Sequence, residues 1–171
     1  MVDVGEEAPD FTLPSDSGDT VSLRDFRGKK GRLVFLSERR TSGGTREAKE
    51  FRDLFDEFKK ENAVILGVSK DSVESHRRFK EKHNLPFILL SDTEAKVLKL
   101  YGVWNERHMY GRGFMGTERT TFLIDENGIV RKVYRKVKVK GHVEDCLLDL
   151  RHTASHEDSR FSLQKFRYVW S

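Results

Sequence analysis

Apolar residues along this 171-residue chain fall into short clusters with two different spacings. Arg32–Leu36 (RLVFL) and Ala63–Val68 (AVILGV) are brief apolar runs, the mark of buried strands. Pro86–Leu90, Thr121–Asp125 and Ile129–Val139 read as further strands, the last two joined by the turn Glu126-Asn127-Gly128. Asp10–Pro14 and Thr20–Leu23 flank a polar turn, Ser15 to Asp19, and predict a small hairpin. Ala48, Phe51, Phe55 and Phe58 recur at three- and four-residue steps, which predicts an amphipathic helix running through Lys60 with a phenylalanine face. Ser72 is placed to cap a helix reaching about His83, with Val73 and Phe79 inward, and Glu94–Tyr101 is a short helix. Val143, Cys146, Leu147 and Leu150 mark a last helix at i, i+3, i+4 and i+7.

Strand–helix–strand–helix followed by a hairpin and a helix predicts an α/β domain with a mixed central sheet flanked by helices. No internal repeat is read. Residues 1–150 form the expected domain. Residues 151–171 differ in composition, with His152, His156, Glu157 and Asp158 and then Phe161, Phe166, Tyr168 and Trp170. They are read as a C-terminal extension that docks on the domain or on a second subunit, leaving monomer and homodimer both open. A chain this long buries about two thirds of its unfolded surface, so it needs no disulfides.

Charge narrows the partners. Thirty-two basic and 28 acidic residues leave a formal charge of +4 with both signs interspersed, which argues against nucleic acid. The stretch Arg131–Lys140 holds six basic residues in ten. Alternating lysines also shield strands from edge pairing, and a solvated strand is the preferred reading. No apolar run approaches the roughly 18 residues of a membrane span, and Met1–Glu7 lacks an apolar signal core. A cytoplasmic protein is expected. His152 and His156 are four apart, but no third ligand is marked, so no metal is expected. No cofactor is expected either. Gly111–Gly116 fits G-x-G-x-x-G yet precedes a strand, the wrong context for a dinucleotide, and reads as a flexible loop.

Several segments, taken in order, resemble the peroxiredoxin Q (bacterioferritin comigratory protein) branch of the peroxiredoxins. Ala8-Pro9-Asp10-Phe11-Thr12-Leu13 is similar to its opening strand, and Val21–Lys29 to its next segment. Gly67-Val68-Ser69 with Asp71-Ser72, Leu85-Pro86-Phe87 with Leu90-Ser91-Asp92, and Tyr101-Gly102-Val103-Trp104 follow the pattern too. Gly116–Asp125 is similar to the strand that carries the family's active-site arginine, here Arg119. The resemblance covers about residues 3–150 and implies a thioredoxin-like fold. It also implies a redox site in the loop before the long helix. There a Thr-Pro-Gly-Cys-Thr stretch sets a peroxidatic cysteine at a helix N-terminus, and the helix dipole and an arginine lower the thiol pKa.

In this chain the loop is Thr41-Ser42-Gly43-Gly44-Thr45. Gly44 stands at the peroxidatic position, Lys49 at the resolving position, and Ser42 and Ser37 replace family prolines. One engineered substitution would not account for all four departures, which together favour natural loss. The reaction needs a sulfur that can accept an oxygen, and glycine has none. The one cysteine, Cys146, lies on the apolar stripe of the last helix and reads as a core residue.

A vacated helix N-terminus with a nearby cation attracts anions. Thr41, Ser42, Gly43, Gly44, Thr45 and Arg119 are therefore candidate ligands for a small anion. Arg39, Arg40, Arg46, His108, Tyr110 and Arg112 are candidate rim residues. The main expectation is a peroxiredoxin homologue without thiol peroxidase activity that acts as a binding or regulatory module. One alternative is an enzyme of non-thiol chemistry, which needs a general base near Thr41 and Arg119. The other is a nominal antioxidant thiol peroxidase, which needs Cys146 exposed beside a cation.

Overall fold

The structure, a computed structural model, describes residues 2–27, 33–35, 42–135, 141–157 and 166–170. Thr12–Pro14 (β1) and Thr20–Ser22 (β2) form the expected hairpin. A 3-10 turn, Leu23–Phe26, follows, with Asp25 accepting from the Ser22 backbone N–H. Leu33–Phe35 (β3) leads to helices Ser42–Asp53 (α1) and Phe55–Lys60 (α2). Ile65–Ser69 (β4), Val73–His83 (α3) and Ile88–Ser91 (β5) make a parallel strand–helix–strand unit. Lys96–Leu100 (α4) precedes a hairpin of Trp104–Met109 (β6) and Arg112–Thr117 (β7). Thr121–Asp125 (β8), Val130–Tyr134 (β9), His142–Glu157 (α5) and Phe166–Trp170 (β10) complete the chain.

The central sheet has the order β5-β4-β10-β3-β8-β9. Strands β3, β4, β5 and β10 run parallel, and β8 is antiparallel to its neighbours, so the sheet is mixed as expected. Both β4 and β8 are buried along their whole length, which explains the apolar runs at their centres. The core gathers Phe51, Phe58, Tyr101 and Phe122, each fully buried, and each contributes about 1.5–3 kcal/mol by leaving water.

The start of the domain is tied down by polar groups. Asp16, buried, accepts from the Leu89 N–H at 2.9 Å and from Lys80 Nζ at 2.8 Å, locking the first hairpin to β5 and α3. Ser72 caps α3 as predicted, accepting from the Ser75 N–H. The helix ends at Asn84 in the left-handed region, a residue that tolerates it.

Four expectations change. The helix expected through Lys60 breaks at Leu54 into α1 and α2, and the break brings the Phe51 and Phe58 rings to 5.5 Å. The glycine-containing stretch 111–116, expected to be a loop, is mostly strand β7 of a hairpin turning at Tyr110 and Gly111. The last helix continues past Leu150 to Glu157. The basic strand ends at Tyr134, and residues 136–140 lie outside the described residues. No helix among the described residues is long and apolar enough to cross a membrane.

Candidate functional site

Helix α1 begins at Ser42, so Gly43 and Gly44 form its first turn instead of preceding it. The first turn of a helix carries the positive end of its dipole. Gly44 is buried and Thr45 half-buried. Thr41, Arg39 and Arg40 lie outside the described residues. Arg46 is exposed and pairs with Glu50 at 3.5 Å, one turn along the same helix. Lys49 is exposed. His108, Tyr110 and Arg112 sit on the exposed hairpin, Tyr110 almost wholly in solvent.

Arg119, in the segment that enters β8, is only 20% exposed. Its Nε lies 3.6 Å from Oε2 of Glu47, a carboxylate on the second turn of α1 with no exposed surface. On the other side of that carboxylate, His142 Nε2 lies 3.8 Å from Oε1. His142 opens α5 and is itself buried. Its Nε2 is 2.8 Å from Thr121 Oγ1 on β8 and 3.5 Å from Cys146 Sγ, one helical turn on. The rings of Phe51 and Tyr134 meet its imidazole edge-on. Three elements, α1, β8 and α5, thus converge on one buried polar cluster.

The electrostatics of this cluster follow from burial. His142 is held down to about 4, first because burial penalises the imidazolium and then because Arg119 repels it. Its place in the first turn of a helix works in the same direction. Glu47 opposes both effects, but His142 is neutral near pH 7. The Cys146 thiol is pushed up, chiefly by burial and then by Glu47 and the aspartates Asp149 and Asp145. It has no exposed surface. A thiol in this setting stays protonated and packs like a small apolar group. Tyr134 is likewise raised by burial, and its hydroxyl bonds Asp149, which Lys132 also holds.

Sequence reasoning found Arg119 and the glycine turn but missed Glu47 and His142. A signal existed for both. Glu47 is four residues before Phe51, and His142 four before Cys146, so each polar residue sits on an apolar stripe. Among the described residues no group of three His, Cys, Asp or Glu is placed to hold a metal ion.

Comparison with known proteins fits this geometry. Residues 4–133 match the AhpC/TSA family. The chain is 49% identical to a putative peroxiredoxin Bcp of Coxiella burnetii over 85% of this chain and 97% of that one. It is 48% identical to peroxiredoxin Bcp of Bacillus subtilis, over 88% and 96%. A Cys→Ser variant of Xylella fastidiosa peroxiredoxin Q superposes with a TM-score of 0.84 at 34% identity, covering 90% of this chain and 98% of that one. The Xanthomonas campestris bacterioferritin comigratory protein, described for its alkyl peroxide reduction activity, superposes with a TM-score of 0.79 at 38% identity, covering 84% and 92%. The fold is therefore the thioredoxin-like peroxiredoxin fold.

Proposed function

The chain belongs to the AhpC/TSA family, and we propose that it is a peroxiredoxin Q homologue that does not reduce peroxides through cysteine. One observation carries this reading: the helix turn that would present the reactive thiol has Gly44, and the chain's single cysteine, Cys146, is buried and held protonated. A thiol peroxidase needs a thiolate that peroxide can reach, and neither residue offers one. The remaining site is the first turn of α1 beside Arg119, and its role is binding or regulation through a small anion. Glu47 offsets much of the Arg119 charge, so an anion there would be held weakly, mainly by the positive end of the α1 dipole.

The rival enzymatic reading needs a base near Arg119. Glu47 and His142 supply the right groups but are sealed from solvent, and this favours a positioning role for both.

Two measurements test the proposal. Peroxide consumption with a dithiol reductant should match the protein-free rate and stay unchanged in Cys146→Ser; consumption above that rate would overturn the non-catalytic reading. Thermal shifts with phosphate, sulfate and short carboxylates test the ligand. Binding at about 100 times the dissociation constant adds roughly 2.7 kcal/mol, a rise on the order of 5–10 °C for a domain of this size. The expected outcome is a ligand-dependent rise that is smaller in Arg119→Ala, where Glu47 is left unbalanced beside the site, each protein being compared with its own ligand-free melt. Equal small rises in both proteins would leave the pocket a relic.

A further inference from the structure

The hairpin of β6 and β7 stands apart from the central sheet, and among the described residues its two strands pair only with each other. Residues 112–115 of β7 are all exposed, Phe114 at 44% and Met115 at 51%, where a strand with one face on a core buries every second residue. Tyr110 and Gly111, both at positive φ, close the hairpin between Met109 and Arg112. A two-residue turn of this kind makes its flanking pair a hydrogen-bonded one. The ladder alternates from there, so Arg107↔Phe114 is hydrogen-bonded, while His108↔Gly113 and Glu106↔Met115 are not. The bond from the Glu118 N–H to the Val103 carbonyl, at 2.7 Å, falls in the same phase.

Residues of the non-bonded pairs turn their N–H and C=O groups away from the partner strand. On β7 these are Gly113 and Met115, and on β6 they are Glu106 and His108. The two outer edges differ. The β6 edge carries Glu106 and His108, polar side chains of the kind that guard an edge. The β7 edge has no acidic residue, lysine, proline or bulge between Arg112 and Met115. Its accessible stretch ends where Gly116 and Thr117 become buried. An apolar edge without such guards is a template for another strand.

We propose that β7 is a homodimer contact, in which the outer edges of two copies pair antiparallel about a twofold axis at Phe114. Phe114 then faces Phe114 of the second copy, an aromatic cross-strand pair in the close, non-bonded position. Met115 of each copy faces Gly113 of the other, which has no side chain to collide with it. Each of these two pairs exchanges two backbone bonds, about four in all. Charge selects this occupant and this direction. Arg112 is the one charge on the edge. Antiparallel pairing about Phe114 sets the two Arg112 residues four positions apart in register, roughly 14 Å. That exceeds the screening length of about 8 Å in physiological salt, whereas in-register parallel pairing would set them side by side. Each Arg112 lies diagonal to the Phe114 ring of the other copy, a cation–π placement. The assembly closes at two copies, because the edges left outermost are the guarded β6 edges.

Sedimentation velocity on the full chain tests this. The expected result is a monomer–dimer equilibrium between about 10 µM and about 1 mM protein, the weak range suited to so small a contact. Phe114→Lys sets two ammonium groups opposite each other and should leave a monomer throughout. Its melting temperature should hold, since the position is exposed. Tyr110→Lys, at the tip and outside the ladder, should dimerise like the wild type. A cross-link reads the register. In a Cys146→Ser background, Phe114→Cys places two thiols across the axis with Cα atoms about 4.5–5.5 Å apart, within disulfide reach. It should form an intermolecular disulfide at least roughly tenfold faster than Tyr110→Cys, because pairing raises the local thiol concentration. Exposure alone predicts the reverse order, since Tyr110 is 97% exposed. A monomer at every concentration, undiminished dimerisation in Phe114→Lys, or cross-linking at 110 as fast as at 114 would each overturn the proposal.

Discussion

His142 offers a sharp test of the buried cluster, because two physical effects on it predict opposite signs. Burial and Arg119 hold its pKa at about 4, against 6.5 for a free imidazole. Glu47, 3.8 Å away, pulls the other way. Thr121 and Cys146 also touch the ring, Tyr134 and Phe51 meet its edge, and Asp145, Asp149 and Lys132 are the charged groups around that cluster. With burial dominant, the unfolded chain takes up a proton near pH 6.5 that the folded chain refuses until about pH 4. The stability held by the neutral ring is therefore complete above pH 6.5 and is lost as pH falls from there to about 4. The shift of 6.5 − 4, or 2.5 pKa units, corresponds to about 3 kcal/mol. Urea unfolding of the wild type and of His142→Gln at pH 7, 6, 5 and 4 measures it. The variant will be less stable at pH 7 from lost packing, so the observable is the slope. Its stability should fall by about 3 kcal/mol less than that of the wild type between pH 7 and 4, since all other titrations are shared. Parallel curves would refute burial as the dominant effect. A wild type that gains on the variant as pH falls below 7 would show a charged His142 paired with Glu47.

Other outcomes follow from single contacts. Cys146 should resist a thiol reagent such as dithionitrobenzoate in the native protein and react fully in denaturant; rapid native labelling would place the sulfur at the surface. Asp16→Ala removes the acceptor of the buried Leu89 N–H and the partner of Lys80, and should cost about 2–3 kcal/mol, read as a fall in Tm of roughly 5–10 °C. A fall under about 2 °C would mean that the first hairpin is held by its apolar contacts alone. Phe51→Ala, at a site with no exposed surface, should cost about 3–5 kcal/mol by the same assay.

Periodicity made the core legible and the surface illegible. β4, β8 and the apolar stripe of α5 are buried where the pattern put them, because burial is what writes the pattern, whereas α3 buries Phe79 as expected but His76 in place of Val73. The hairpin β6–β7 escaped detection for the converse reason. Its residues 112–115 are exposed, and its turn places Tyr110 and Gly111 both at positive φ without the Asn-Gly or Asp-Gly pair that announces such turns. The tail's aromatic end was visible as a sticky segment, but a strand that pairs in the middle of a sheet is a non-local fact. The register that pairs Val169 with Val34 and with Phe122 emerges only once β3, β4 and β8 are assembled. Within the candidate site, residue types showed what position 44 cannot do. They did not show that Glu47, one turn further along α1, lies buried between Arg119 and His142.

That carboxylate changes what Arg119 means. A resemblance to an enzyme family invites the reading that a surviving active-site arginine still waits for an anion. Here an anion is already present and belongs to the protein. Glu47 has no exposed surface while Arg119 is 20% exposed, so removing the arginine should cost less than the roughly 3–5 kcal/mol of a fully buried pair, yet still leaves a buried charge uncompensated. Arg119 thus has a folding role that would persist with no ligand and no reaction. Its presence is not by itself a sign of binding, and a loss of stability in Arg119→Ala is what Glu47 alone demands. Only the part of the Arg119 effect that appears when an external anion is added bears on function. If Gly44 carried a thiolate, the same guanidinium would divide its charge between two anions. Without that sulfur it answers to Glu47 and to whatever the first turn of α1 can hold.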